Sequence, residues 1–157
     1  MLVDSGILHQ IDQLDFQRIK HKLMVSENQE KWTFEQCEEA EREYKRFLTL
    51  IKLNPGVRIV PTKQMDKFWH QHILDTVAYE RDCNEVFGFF LHHFPYFGIY
   101  GTEDKANLAK TFEITKQLYR ETFAEEIEAP TVSRCEGHSC HVESECACRV
   151  SGACKNA

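Results

Sequence analysis

The strongest constraint on this chain is the stretch 62–87, which starts at Thr62, ends before Gly88 and carries its large apolar side chains at helical spacing. With Trp69 at zero and about 100° per residue, Met65, Phe68, Trp69, His72, Ile73, Thr76, Tyr79, Cys83, Val86 and Phe87 share one broad arc. A helix that is apolar on one side is stable when that side is buried, so the remaining chain has to cover it.

Three further segments are suited to do so. Ile7, Leu8, Ile11, Leu14, Phe16, Ile19 and Leu23 predict a helix over 5–24. Thr33-Phe34-Glu35-Gln36 reads as a capping box with Trp32 as a staple residue before it. The helix it opens carries Cys37, Tyr44, Phe47, Leu48 and Ile51 on one side and stops near Asn54-Pro55-Gly56. Val57-Arg58-Ile59-Val60 is β-branched but has no strand to pair with, so it is read as an extended connector. Residues 89–100 are dense in aromatics and broken by Pro95 and Gly98. Thr102-Glu103-Asp104 opens a last helix to about 124, with acidic residues in its favourable first turn. Phe112, Ile114, Thr115, Leu118, Tyr119 and Phe123 form its expected buried face.

The predicted architecture is mainly α, a compact bundle of about four helices over 1–128, with an irregular cysteine-rich C-terminal tail at 129–157. A chain of 157 residues suits one domain and at that size buries about 70% of its unfolded surface. Its net charge of −6 and scattered lysines and arginines argue against a nucleic-acid partner. The acidic run at 27–43 reads as a solvated helix face. No apolar run is long enough for a membrane span or a signal peptide, so a cytoplasmic, thiol-reducing setting is expected.

Chemistry concentrates in two histidine clusters, Trp69-His70-Gln71-His72-Ile73-Leu74 and Leu91-His92-His93-Phe94-Pro95, which hold four of the eight histidines. Neutral imidazole is the commonest protein ligand for transition metals. On the wheel His72 points inward, while His70, about 160° away, lies near the edge of the apolar arc with Asp66 beside it. Two histidines two residues apart on a regular helix cannot hold one ion together. Asp66 and His70, at i and i+4, can share a ligand. The expected site therefore joins His72 to His92 or His93, with His70 nearby and Asp66, Asp75 and Tyr79 available as ligands or acid/base groups. The competing reading makes His72 a core histidine bonded to Thr76, Tyr79 or a backbone carbonyl, and packs His92 and His93 against aromatic rings. No zinc-protease spacing and no serine nucleophile elbow is present.

Five of the seven cysteines fall in the last 23 residues, as Cys135, Cys140, Cys146, Cys148 and Cys154, with His138 and His141 among them. Paired Cys-x2-Cys knuckles are absent. Cys146-Ala147-Cys148 is closer to thiolate clusters for copper(I) or zinc, and Cys135, His138, Cys140 and His141 suffice for one tetrahedral site. An unstructured tail with adventitious thiols and a disulfide-bonded tail are the alternatives.

The run Val60-Pro61-Thr62, Asp66-Lys67-Phe68-Trp69-His70-Gln71-His72, Tyr79 and Asp82-Cys83 resembles the glycine-rich domain-containing-protein-like family. Phe87-Gly88, Leu91-His92-His93 and Pro95-Tyr96-Phe97-Gly98 look like its bacterial branch, and Tyr44-Lys45-Arg46-Phe47-Leu48 like its second helix. The resemblance covers roughly 30–100 and implies no particular substrate. It implies that helical domain and tail belong to one architecture, although this tail has Glu, Ser, Val and His where the family's tails are rich in glycine.

Two functional classes follow. One is a protein that binds zinc, copper or iron at a histidine site, with a tail that delivers, holds or senses metal. The other is a non-catalytic interaction module whose histidines are structural and whose surface meets a protein partner.

Overall fold

A computed structural model of the chain describes residues 5–27 and 30–128. Among these residues it has six helices and no strand: α1 (Ser5–Asp12), α2 (Gln17–Val25), α3 (Phe34–Leu53), α4 (Lys63–Leu74), α5 (Thr76–Phe87) and α6 (Thr102–Phe123). The mainly helical class agrees with the sequence, but two of the four expected helices are each divided in two. The tail at 129–157 lies outside the described residues.

The first division falls at 13–16. Leu14 and Phe16 are both buried while Asp15 between them is exposed, and the backbone of 14–16 is not helical. Asp15 Oδ1 accepts the Gln17 N–H at 3.0 Å, just ahead of the Phe16 N-cap at which α2 begins. The second falls at Asp75, whose φ of −84° and ψ of 74° leave the helical region. Its side chain accepts the Ala78 N–H, making it the cap of α5. The wheel drawn straight through 62–87 therefore loses phase after Leu74. Thr76 is exposed rather than buried, and Asp82, off the predicted arc, is 4% exposed.

Helix α3 is the axis of the bundle and touches α1, α2, α4 and α6. Its start is the expected capping box: Thr33 Oγ1 accepts the Gln36 N–H and Gln36 Oε1 accepts the Thr33 N–H. Its inner face sets Tyr44 and Phe47 against Phe16, Phe68 and Trp69, with ring centroids 5.0–5.5 Å apart. Lys20 on α2 buries its stem and holds its ammonium between Glu38 and Glu41 of α3.

The connector 57–60 is extended and unpaired. Its Val60 N–H donates to Thr115 Oγ1 of α6 at 2.9 Å, and Thr62 then caps α4 by accepting the Met65 N–H. Helix α6 buries Leu108, Phe112, Thr115 and Tyr119. Ile114, expected on that face, is 47% exposed, because the buried stripe runs 108, 112, 115, 119 and 114 falls beside it. Trp69 and Phe47 are buried as expected, while Ile73, Phe87 and Leu118 are only partly buried at the core's edge.

Candidate metal centre

Asp66 stands in the first turn of α4, where the unpaired amide end of a helix favours a carboxylate. It is fully buried. One turn on, His70 lies on the same face, and the irregular segment after α5 returns over it to bring in His93. That return has a clear support. Trp69 Nε1–H donates to the Tyr79 hydroxyl at 2.9 Å, and the Tyr79 O–H donates to the Leu91 carbonyl two residues before His93. The His93 ring then packs on the Trp69 indole at a centroid distance of 4.6 Å.

The donor atoms of these three residues converge. His93 Nε2 is 2.9 Å from Asp66 Oδ1, His70 Nε2 is 3.0 Å from His93 Nε2, and His70 Nε2 is 3.4 Å from Asp66 Oδ2. Ligands about 2.0–2.1 Å from one tetrahedral ion stand about 3.3 Å apart, so the observed spacings match one face of such a shell. Proton counting points the same way. His93 Nε2 faces both a carboxylate oxygen and a second ring nitrogen, and a neutral ring has at most one proton there for the two of them. Asp66 Oδ2 is buried and makes no hydrogen bond among the described residues. A buried carboxylate with an unsatisfied oxygen is costly. A cation against all three side chains removes that cost.

His72 occupies a different place. It is 2% exposed, with Nδ1 3.0 Å from the Tyr44 hydroxyl and Nε2 2.9 Å from Asp82 Oδ2. Burial holds the Tyr44 phenol well above its ordinary pKa, so Tyr44 keeps its proton and donates to Nδ1. His72 then carries its own proton on Nε2 and gives it to Asp82. Burial works to raise the Asp82 pKa, but the bonds from His72 and Arg81 outweigh it and hold the carboxyl below the ordinary range. The rings of Phe16, Tyr44 and Tyr79 enclose the imidazole. The sequence reading joined His72 to His92 or His93. The structure instead joins His70 to His93 and leaves His72 with Tyr44 and Asp82, partners that reading did not name.

His92 is exposed, its ring against Phe90. Asp75 is spent on capping α5, and Tyr79 on the Trp69–Leu91 link. Cys37 and Cys83 are free and buried, and burial pushes both thiols up, away from the thiolate a metal needs. Cys135, His138, Cys140, His141, Cys146, Cys148 and Cys154 lie outside the described residues.

Fold and site together define a mainly helical protein carrying a His/His/Asp cluster that could hold a metal ion. A family model described as UCP032817-like matches residues 8–134, and the chain belongs to that family. This corrects the resemblance to the glycine-rich domain-containing-protein-like family. That resemblance rested on Trp69-His70-Gln71-His72 with Tyr79 and Asp82-Cys83, over roughly 30–100, a shorter span than the family match. No curated protein and no solved structure matches the chain. The family name carries no activity, so function has to be argued from the site.

Proposed function

We propose that this protein binds a divalent transition metal ion through Asp66, His70 and His93. The observation that carries the reading is the fully buried Asp66 carboxylate, one oxygen of which has no hydrogen bond while two ring nitrogens close on it. Two imidazoles and a carboxylate suit zinc or iron(II), whereas copper(I) prefers the sulfur ligands that the described site does not contribute. The ion's role, structural or catalytic, depends on what fills its remaining positions. The reducing cytoplasm is part of this reading, because there the tail thiols stay free to ligate. No helix among the described residues is long and apolar enough to cross a membrane.

Elemental analysis of the full chain, purified without a chelator or an affinity tag, tests the proposal. Asp66→Asn combined with His70→Ala should lower the metal content by about one equivalent per chain. Unchanged content would remove this site from consideration.

One observation favours the second reading, an interaction module. Phe89, Phe90, Phe94, Tyr96 and Tyr100 of the segment that carries His93 are 40–72% exposed. Exposed aromatics of this density suit contact with a protein partner. If the chain takes up no metal at all, that reading takes precedence.

A further inference from the structure

We propose that residues 90–94 form a self-pairing edge, through which two copies of this chain join as an antiparallel strand pair about a twofold axis. The proposal stands apart from the metal-binding reading and names the partner that the exposed aromatic segment fits.

The backbone is arranged for it. From Phe90 to Phe94 the chain belongs to no helix or turn, and its burial alternates: Leu91 and His93 are partly buried, while Phe90, His92 and Phe94 are exposed. The Phe90 and His92 rings lie together with centroids 5.1 Å apart, as residues two apart on one face of a strand can. In an extended chain, successive residues turn their N–H and C=O toward opposite edges. The Leu91 carbonyl accepts the Tyr79 O–H and so faces the body of the protein. Phe90, His92 and Phe94 therefore face the outer edge, and among the described residues their backbone groups make no hydrogen bond. An edge with open donors and acceptors is a template for another strand.

Three features select a second copy as that strand. First, two identical segments in antiparallel pairing close on a twofold axis. Centred on His92, Phe90 of each copy meets Phe94 of the other, and the two His92 residues meet on the axis. These are the residues of the open edge, so every such pair exchanges both of its backbone bonds, and aromatic residues directly opposite each other strengthen the ladder. Pro95 has no N–H to extend it. Second, each copy carries a net charge of −6, yet residues 88–101 contain no acidic side chain, so contact here brings no carboxylates together. Third, Phe89, Phe90, Phe94, Tyr96 and Tyr100 are 40–72% exposed, which leaves about 500 Å² of aromatic surface on each copy. Two copies joined there cover about 1,000 Å², the small end of specific interfaces. The expected assembly is a reversible dimer that forms as concentration rises.

Sedimentation velocity of the full chain, from low micromolar to submillimolar concentration with reductant and EDTA present, tests it. Reductant removes disulfide links and EDTA removes metal-bridged association, so the outcome does not depend on the metal centre. The weight-average sedimentation coefficient should climb from that of a monomer to that of a dimer. His92→Pro deletes an edge N–H that has no acceptor in the single copy, so it should abolish the dimer and keep the unfolding midpoint of the monomer. His92→Lys sets two ammonium groups opposite each other across the axis and should weaken the dimer by about fivefold or more. The register is read by cross-linking in a chain whose five tail cysteines are changed to Ser. His92→Cys brings two sulfurs together on the axis at a Cα separation of about 5.5 Å, within reach of a disulfide, so mild oxidation should link the copies. Phe94→Cys, whose two sulfurs would lie on residues roughly 14 Å apart, should not. A chain that stays monomeric throughout overturns the proposal and leaves the edge to a strand from another protein. A dimer that both His92→Pro and His92→Lys leave intact overturns it too, as does one that Phe94→Cys links as readily as His92→Cys, since either result puts the contact elsewhere.

Discussion

His70 and His93 lie 23 positions apart in the chain, yet their Nε2 atoms stand 3.0 Å from each other with the Asp66 carboxylate against both rings. One proton between the two Nε2 atoms satisfies that contact and leaves a carboxylate contact of the cluster without a donor. The pair is held by its surroundings. Trp69 supports the His93 ring, and the Tyr79–Leu91 bond fixes the backbone that carries it.

Metal affinity at this centre should fall steadily as the solution is acidified, because protonated imidazole cannot ligate. Calorimetric titration of zinc into the chain with its five tail cysteines changed to Ser isolates the centre. Asp66→Asn, His70→Ala or His93→Ala should each abolish binding there with helix content unchanged. At zinc one hundred times above its Kd the parent should gain about 2.7 kcal/mol of stability that these variants do not.

The His72 network should behave as a coupled unit. Tyr44→Phe and Asp82→Ala each leave one side of a buried imidazole without its partner, at about 1–3 kcal/mol apiece. The double variant should cost less than the two single losses added together, since both act through His72. Strict additivity in urea melts would show that the contacts are independent.

Asp82 also sets an acid limb. Its folded pKa lies below the ordinary carboxylate value, which is about 3.9. The stability it contributes is therefore complete above that value and is lost as pH falls from there through the folded pKa. Below about pH 4 the parent should lose stability more steeply than Asp82→Asn, which has no carboxyl to protonate. Parallel curves from pH 5 to pH 2 would contradict this.

Trp69→Ala should cost about 3–5 kcal/mol in chemical denaturation, the range for a large aromatic truncated in a core. Trp69→Phe keeps most of the packing and loses the indole bond to Tyr79, so about 1 kcal/mol is expected. In both variants the Leu91–His93 backbone should exchange its amide hydrogens faster, because the indole N–H no longer holds the Tyr79 hydroxyl that bonds the Leu91 carbonyl.

Gly98→Ala is the sharpest backbone test. Gly98 has a φ of +90°, and a Cβ there would sit 2.5 Å from Leu108 Cδ2. Its N–H also donates to Asp104 Oδ2 at 2.7 Å, tying the aromatic segment to the start of α6. The substitution should cost more than about 1 kcal/mol, visible as a lowered unfolding midpoint. The same change at Gly56, whose Cβ would meet nothing within 4 Å, should cost only its backbone strain.

Local signals were legible wherever a residue's partners lie within a turn of it. The Thr33 box, the Thr62 cap, the stop at Asn54-Pro55-Gly56, the unpaired connector and the bounds of α6 all follow from neighbours in sequence. The pairing of Asp66 with His70 was also readable, since i and i+4 share a helix face by geometry alone. The divisions at Asp15 and Asp75 were signalled only by an aspartate inside an otherwise periodic run, and an aspartate there is as compatible with a solvated helix position as with a cap.

What the sequence by itself determined is therefore the helical class, the starts of α1, α3, α4 and α6 and the presence of buried histidine chemistry. Which histidines meet was decided by the tertiary structure. Asp75 ends one helix and begins another, and that change of direction turns Asp82 toward His72 and frees the following segment to carry His93 onto His70. A helical wheel contains no such turn, because it records angle about one axis, and this site joins α4 to the segment that follows α5. The buried Asp66 oxygen is set in the same way, since only the packed fold removes it from water and makes a cation its natural partner.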